Sequence, residues 1–405
     1  MSEETVRRGA WGEKIIAEFF DSQFSRQFSF PNPRTRSNVE IADVFVWWNR
    51  VVFLIEVKTR DCGGKTVEQW ASSRIREAVK QLQRNHALLE RSETVNLHNE
   101  YYELPFIHDG IGAIFGLIVL VTDEPFCVLP EEACPDIYRQ GFPIHVFSWH
   151  DLKRMTAEID TVADLAYYLE DRQQLLQRGD GIPVGRELHA VATYKMGRNH
   201  FPQPLPDLSG QDLWSEYRRG MAMQIASRDA DSRYAELYDH IADLLPDHRR
   251  LHDGIPIGLH FAWELGSLTR RERALWGREF ASVEECFQEG RNRPRKFAMF
   301  SQTTGNWMLL FWSKEDAAAI LKRLVRLVEL KLIKEAELCG FEHDVYGLGF
   351  EVPRSVPPTF KLVGATFGDA SIIGGYSADD VAEAFRELGN KSYTSKRKIE
   401  EFPND

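Results

Sequence analysis

Val51-Val52-Phe53-Leu54-Ile55 runs without a break into Glu56-Val57-Lys58, and this octet constrains the fold more than any other stretch of the 405-residue chain. Five consecutive apolar residues, mostly β-branched or aromatic, describe a strand covered on both faces, as in a mixed or parallel sheet. Successive side chains of a strand point to opposite faces, so Glu56 and Lys58 share one face while Val57 turns away. Charges at the end of such a strand have to be paired or bind an ion, because burying them alone is prohibitive. Asp43, twelve intervening residues upstream, enters a second strand-like run in Ile41-Ala42-Asp43-Val44-Phe45-Val46. Two carboxylates and a lysine can therefore converge on one point. Such a point suits a divalent cation and an attacking water, the equipment for breaking a phosphodiester. An isolated Glu-x-Lys is ordinarily a solvated hairpin edge, so the neighbours decide between the two readings.

Upstream, Gly9-Ala10-Trp11-Gly12-Glu13-Lys14 opens a stretch in which Trp11, Ile15, Ile16, Phe19 and Phe20 recur at helical spacing, placing Glu13 on a first helix. Downstream, Thr66 to Arg91 reads as a long helix with Trp70, Ile75, Val79, Leu82 and Leu89 on its apolar face and Gln81 within Lys80-Gln81-Leu82-Gln83-Arg84. The order is a helix with Glu, a strand with Asp, a strand with Glu-x-Lys and a helix with Gln. Over roughly residues 5 to 155 that order resembles the PD-(D/E)XK nuclease superfamily, the restriction-endonuclease-like fold. The resemblance implies a core of a helix, three strands, a second helix and a further strand. It also implies that Asp43 and Glu56 are metal-binding carboxylates, Lys58 the lysine beside the attacking water, Glu13 an additional first-helix acid that binds the metal directly or through water, and Gln81 the helix glutamine of several branches. The residue before Asp43 is Ala42, where the family's motif begins with Pro.

The donor count is consistent with Mg²⁺, a hard ion that takes one or two carboxylates together with water and phosphate oxygens; Mn²⁺ is expected to substitute. Basic residues that could meet a phosphate backbone are Arg34 and Arg36, in the loop before Asp43, and Arg74, Arg76, Lys80 and Arg84 on the second helix. The densest basic cluster, Arg291-Asn292-Arg293-Pro294-Arg295-Lys296, lies far downstream and adds Arg293 and Arg295 as nucleic-acid candidates. The net charge of −11 opposes this at long range, so only a local basic groove would serve.

Length is comfortable for two domains. The expected fold class is a restriction-endonuclease-like α/β domain, a mixed sheet flanked by helices, followed by an α+β domain. The boundary is placed at Gly179-Asp180-Gly181-Ile182-Pro183-Val184-Gly185, giving 1–178 and 186–405. Ile111 to Val121 is too short to span a bilayer and reads as another buried strand. Pro143 to Phe147 reads as a fifth strand, with a helix from Trp149 continuing to about Arg178. Five scattered cysteines suggest neither disulfides nor a zinc site, and a cytoplasmic location is expected. In the second half, residues 211 to 245 read as helices, Phe297 to Trp312 and Tyr346 to Val352 as strands, and Ser313 with Asp316 as the cap of a long helix. His248 and His252 stand four apart as a weak metal pair.

The function expected is a Mg²⁺-dependent nuclease acting on DNA, RNA not being excluded, in restriction or anti-phage defence or in repair or recombination. The second domain would serve recognition, sensing, oligomerisation or a partner protein. The competing expectations are a nucleic-acid-binding or assembly protein that has lost cleavage, and a hydrolase of a small phosphoester.

Overall fold

The computed structural model describes residues 3–24, 26–60, 64–91, 94–106, 108, 111–139, 141–208, 212–223, 251–252, 255–268, 270–290, 293–301, 305–339, 343–352, 361–368 and 377–388. They fall into two compact units, Met1–Ile225 with His248–Gly266, and Ala226–Asp247 with Ser267–Asp405.

The first unit is built on a five-stranded mixed sheet of β1 (Ser29–Pro31), β3 (Val44–Trp48), β4 (Val51–Thr59), β7 (Ala113–Val121) and β8 (Ile144–Ser148), in that spatial order. β1, β3 and β4 pair antiparallel, whereas β4, β7 and β8 are parallel. The apolar runs are buried over 52–55 and 115–121 and half-buried at their first residues, because both sheet faces carry helices. A smaller sheet of β2 (Arg34–Thr35), β5 (Val95–His98) and β6 (Glu103–Pro105) stands beside it.

Helix α1 (Glu3–Gln23) and helix α2 (Val67–Glu90) cover opposite faces. A Cβ on Gly12 of α1 would meet Thr59, while one on Gly116 of β7 would meet Leu82 of α2. Gly116 pairs with Leu54, and the alternation of β4 puts Leu54, Glu56 and Lys58 on the α2 face and Thr59 on the α1 face. Thr66 caps α2 and its side chain exchanges bonds with Gln69 as a capping box, so the helix starts where the sequence predicts. α1 buries Ile16, Phe19 and Phe20, but Trp11 is 52 % exposed, which corrects its assignment to the apolar face: Gly12 is the residue that touches the sheet, and Trp11 lies on the solvent side of it.

After the short helix α3 (Pro130–Ala133), β8 ends in Ser148, which caps α4 (Trp149–Met155) through Asp151 N–H. The single helix expected to run to Arg178 is two, because Thr161 opens a new cap for α5 (Val162–Gln177). The glycine-rich segment 179–185 does not part the units. Val184 bridges back to Val128, and beyond it Glu187 at the start of α6 (Glu187–Met196) pairs with the fully buried Arg172 of α5. α7 (Leu213–Gly220) adds Tyr217, whose hydroxyl donates to Glu158. The hairpin β9 (Leu251–His252) and β10 (Ile255–Pro256) and helix α8 (Ile257–Gly266) also belong to this unit. Trp48 and Trp263 donate their indole N–H groups to the carbonyls of Trp263 and Trp47, at 3.0 and 2.7 Å, which fastens α8 to β3. The expected helices over 211–245 are represented by α7; residues 224–250, and with them His248 of the histidine pair, lie outside the described residues.

The second unit is a four-stranded sheet in the order β11 (Arg295–Phe300), β12 (Trp307–Ser313), β13 (Val345–Glu351), β14 (Lys361–Gly368). β12 and β13 are parallel and joined by the crossover helix α10 (Ala317–Cys339), which follows α9 (Arg270–Gln288). The outer pairs, β11 with β12 and β13 with β14, are antiparallel, so the sheet is mixed, with one helical crossover. Trp307, Leu309 and Phe311 pack toward α10, while Phe280 of α9 sits edge-on to Trp312 and Phe350. α10 is capped by Asp316, which accepts from Ala319 N–H; Ser313, four residues before the helix begins, instead accepts from Glu315 N–H. The closing helix α11 (Ala378–Leu388) is tied to α10 by Arg326, which meets both Asp380 and Glu383. Among the described residues no helix is long and apolar enough to cross a membrane.

Candidate active site

Asp43, Glu56 and Lys58 meet at the ends of β3 and β4. Val44 pairs with Ile55, so the same register sets Asp43 opposite Glu56. Asp43 Oδ2 accepts from Val57 N–H at 2.6 Å, which fixes the carboxyl against β4. Lys58 Nζ donates to Glu56 Oε2 at 3.0 Å. Asp43 is 8 % exposed and Glu56 3 %, so both carboxyls have largely left water.

Two carboxyls so placed resist ionisation. Burial pushes Asp43 up to about 7, the adjacent Glu56 adds to that, and Lys58 and the Val57 N–H pull the other way. Glu56 is also raised by burial, with Lys58 opposing. Glu13 is raised by burial and by the charge of Glu40. It is near enough for its charge to reach Asp43, yet it stands on the helix of the opposite sheet face. Among the described residues no three His, Cys, Asp or Glu side chains are grouped closely enough to hold an ion, so the site offers a carboxylate pair rather than a triad.

α2 supplies the other wall. Asn85, buried on its inner face, donates to Ile41 O at 2.6 Å and accepts from Arg84 Nε at 3.1 Å. Arg84 is thereby aimed at the site, where its charge reaches Glu56. The Gln81 carboxamide oxygen is buried without a hydrogen-bond partner among the described residues. The other basic candidates are distributed differently. Arg34 is held by Glu40 at 2.8 Å, Arg74 by Glu77 at 2.6 Å, and Arg36 and Lys80 are exposed. Arg76 lines an open groove with Lys65, Glu68, Gln69, Ser72 and Ser73. Arg293 and Arg295 are exposed at the start of β11, in the second unit.

Sequence reasoning missed Glu40 and Asn85. Asn85 leaves a trace, a polar residue between Leu82 and Leu89 on an otherwise apolar helix face. Glu40 leaves none, because its proximity depends on the turn from Arg34 to Glu40, where the two residues form an isolated antiparallel bridge.

Gly12 is what lets α1 bring Glu13 this close. A Cβ there would lie 1.9 Å from Thr59 Oγ1 and 3.2 Å from Thr59 Cβ. Gly to Ala within a helix ordinarily stabilises by about 1 kcal/mol. Gly12→Ala is expected instead to lower stability by about 1–3 kcal/mol, through overpacking. Thr59→Ala in the same chain should recover part of the loss, as read by denaturant midpoints.

The donor set fits a hard divalent cation. Two carboxyl groups lie side by side with raised proton affinity, a condition that added positive charge relieves. Compared with family models, curated proteins and solved structures, the chain matches none.

Proposed function

We propose that the chain is a metal-dependent nuclease that hydrolyses phosphodiester bonds, with DNA as the favoured substrate, and that its first unit is a restriction-endonuclease-like domain. The observation that carries this reading is the placement of Asp43 opposite Glu56, both buried, with Lys58 bonded to Glu56. A structural role would not require two acids to be buried beside each other with only one lysine between them. The order of α1, three antiparallel strands, α2 and a parallel strand supports the same reading.

In this proposal Asp43 and Glu56 would hold Mg²⁺, which would supply Lewis acidity toward the scissile phosphate and would acidify a bound water. Asp43 contributes fully once it has lost the proton that burial retains to about pH 7. The Val57 N–H holds one of its oxygens and so sets the direction of the other. Lys58, linked to Glu56, orients the attacking water and offsets charge that grows on the phosphate. Gln81 orients, Arg84 draws the backbone toward the trio, and Glu13 tunes the field from the opposite face. The second unit, carrying Arg293 and Arg295, recognises the substrate or a partner.

The test is incubation of the full chain with supercoiled plasmid, linear duplex, single-stranded DNA and RNA, in Mg²⁺, Mn²⁺ or EDTA. Cleavage of a polynucleotide in either metal and none in EDTA is expected. Cleavage of no polymer, or cleavage indifferent to EDTA, overturns the proposal.

A further inference from the structure

Arg34 and Glu40 form the one ion pair described at the rim of the trio on the β3 side. Arg34 NH2 lies 2.8 Å from Glu40 Oε2, and Arg34 NH1 reaches the carbonyl and side-chain oxygens of Asn38 at 3.4 and 3.5 Å. Both side chains are substantially exposed, at 48 and 40 %. The pair is mounted on a stiff base. Arg34 bridges Glu40 and pairs with Asn96 of β5, Thr35 accepts from Val39 N–H, and Ile41 N–H donates to Pro33 O while its own carbonyl is gripped by Asn85 of α2. The backbone between the two residues is therefore fixed, with Asn38 in the left-handed region at φ +63°. Only the side chains are free to change partners.

The location gives the pair meaning. Glu40 precedes Asp43 by three residues, and its charge acts on both Glu56 and Glu13. An exposed ion pair adds little stability. It is easily exchanged for a phosphate, which the guanidinium fork grips bidentately. Next to it Arg36 is exposed, with no acidic partner among the described residues, and the small sheet turns Arg34, Asn96 and His98 outward on one face.

We propose that the Arg34–Glu40 pair is an exchangeable latch in which Arg34 leaves Glu40 for a backbone phosphate of the entering strand, making Arg34 a substrate-positioning residue and Glu40 its competitor. The inference rests on the nuclease reading of the adjacent trio. Glu40 keeps Arg34 extended and pre-aimed in the free protein, and it sets a threshold that a stray anion passes less readily than a polyanion whose other phosphates meet Arg36 and Arg84.

The latch makes Arg34→Ala and Glu40→Gln differ in sign. Binding of a fluorescein-labelled 20-base-pair DNA duplex, and of an RNA duplex of the same sequence, is measured by anisotropy in Ca²⁺ across a salt series. The chains carry Asp43→Asn so that nothing is cut. Arg34→Ala should weaken binding roughly five- to tenfold and reduce the salt slope by about one ion. Glu40→Gln should tighten binding by a few-fold, and the gain should vanish when Arg34→Ala is also present. Glu40→Gln that weakens binding, or a gain that persists without Arg34, overturns the latch while leaving the nuclease reading intact. A chain that binds neither duplex, and whose parent with Asp43 cleaves no polynucleotide, overturns both. Circular dichroism of each variant at the assay temperature confirms that the folded state is being compared.

Discussion

Asp43→Asn is expected to stabilise the metal-free protein at pH 8 while abolishing most of its cleavage. The substitution keeps the shape and leaves an oxygen to accept the Val57 N–H. It removes a charge that the native state holds unwillingly, since burial and Glu56 raise Asp43 to about 7 from an ordinary value of 3.8. The sign follows from proton linkage. Between those two values the folded state binds a proton that the unfolded state has released, so stability falls as pH rises through the window and levels off above about 7. Folding at pH 8 therefore carries a penalty on the order of 2–4 kcal/mol that Asn removes, whereas near pH 4 the two proteins should match. Mg²⁺ acts in the opposite sense on the parent. At about one hundred times its dissociation constant it should restore roughly 2.7 kcal/mol to wild type, and much less to the variant. Cleavage by Asp43→Asn should drop on the order of 10²–10³-fold. A variant less stable than wild type at pH 8 without metal would show that Asp43 is a structural residue.

The second large effect lies away from the site. Arg172 is fully buried, its Nε and NH2 donating to the two oxygens of Glu187 at 2.8 and 2.9 Å and its NH1 meeting His145 Nδ1 at 2.9 Å. The Tyr168 hydroxyl also donates to Glu187, and the guanidinium lies over the Phe147 ring. Arg172→Met leaves Glu187 in the core without its cation and with the Tyr168 hydroxyl as its remaining side-chain donor, and removing one partner of such a pair typically costs about 3–5 kcal/mol. Arg172→Met with Glu187→Leu should recover most of that, because the penalty belongs to the orphaned charge rather than to the pair. Urea titrations of the two variants check this. The cluster joins β8, α5 and α6, so the same measurement reports whether residues past the glycine-rich segment belong to the first core. A loss under 1 kcal/mol for Arg172→Met would mean they do not.

The parts of the fold legible in the sequence are those fixed by local pattern. The runs 51–55 and 113–121 announce covered strands because no solvated strand tolerates such continuity, and Thr66 and Ser148 announce helix starts because their hydroxyls satisfy free N–H groups. The convergence of Asp43 on Glu56 was also readable, since strand alternation and the position of each acid at a strand end suffice. What could not be read depends on long-range pairing. Nothing local tells that Trp263 will exchange indole bonds with β3, more than two hundred residues away, or that Glu187 will find Arg172 across a stretch rich in glycine. The glycines at 179 and 185 adopt φ near +90°, so they turn the chain back onto its own core instead of leading it away. Trp11 misled for the reverse reason. Its helical phase is apolar, but the sheet is met by its neighbour Gly12.

The central claim, that Asp43, Glu56 and Lys58 form a hydrolytic centre, meets its most direct test in Lys58→Ala. Lys58 touches Glu56 and is needed for chemistry in this account, yet once both carboxyls are ionised, removing the cation beside them strengthens their hold on another. Cleavage of the preferred polynucleotide and Mg²⁺ binding by calorimetry are measured on one preparation. Cleavage should fall by on the order of 10²-fold or more while Mg²⁺ binds as tightly as to wild type or more so. Undiminished cleavage by Lys58→Ala would contradict the account.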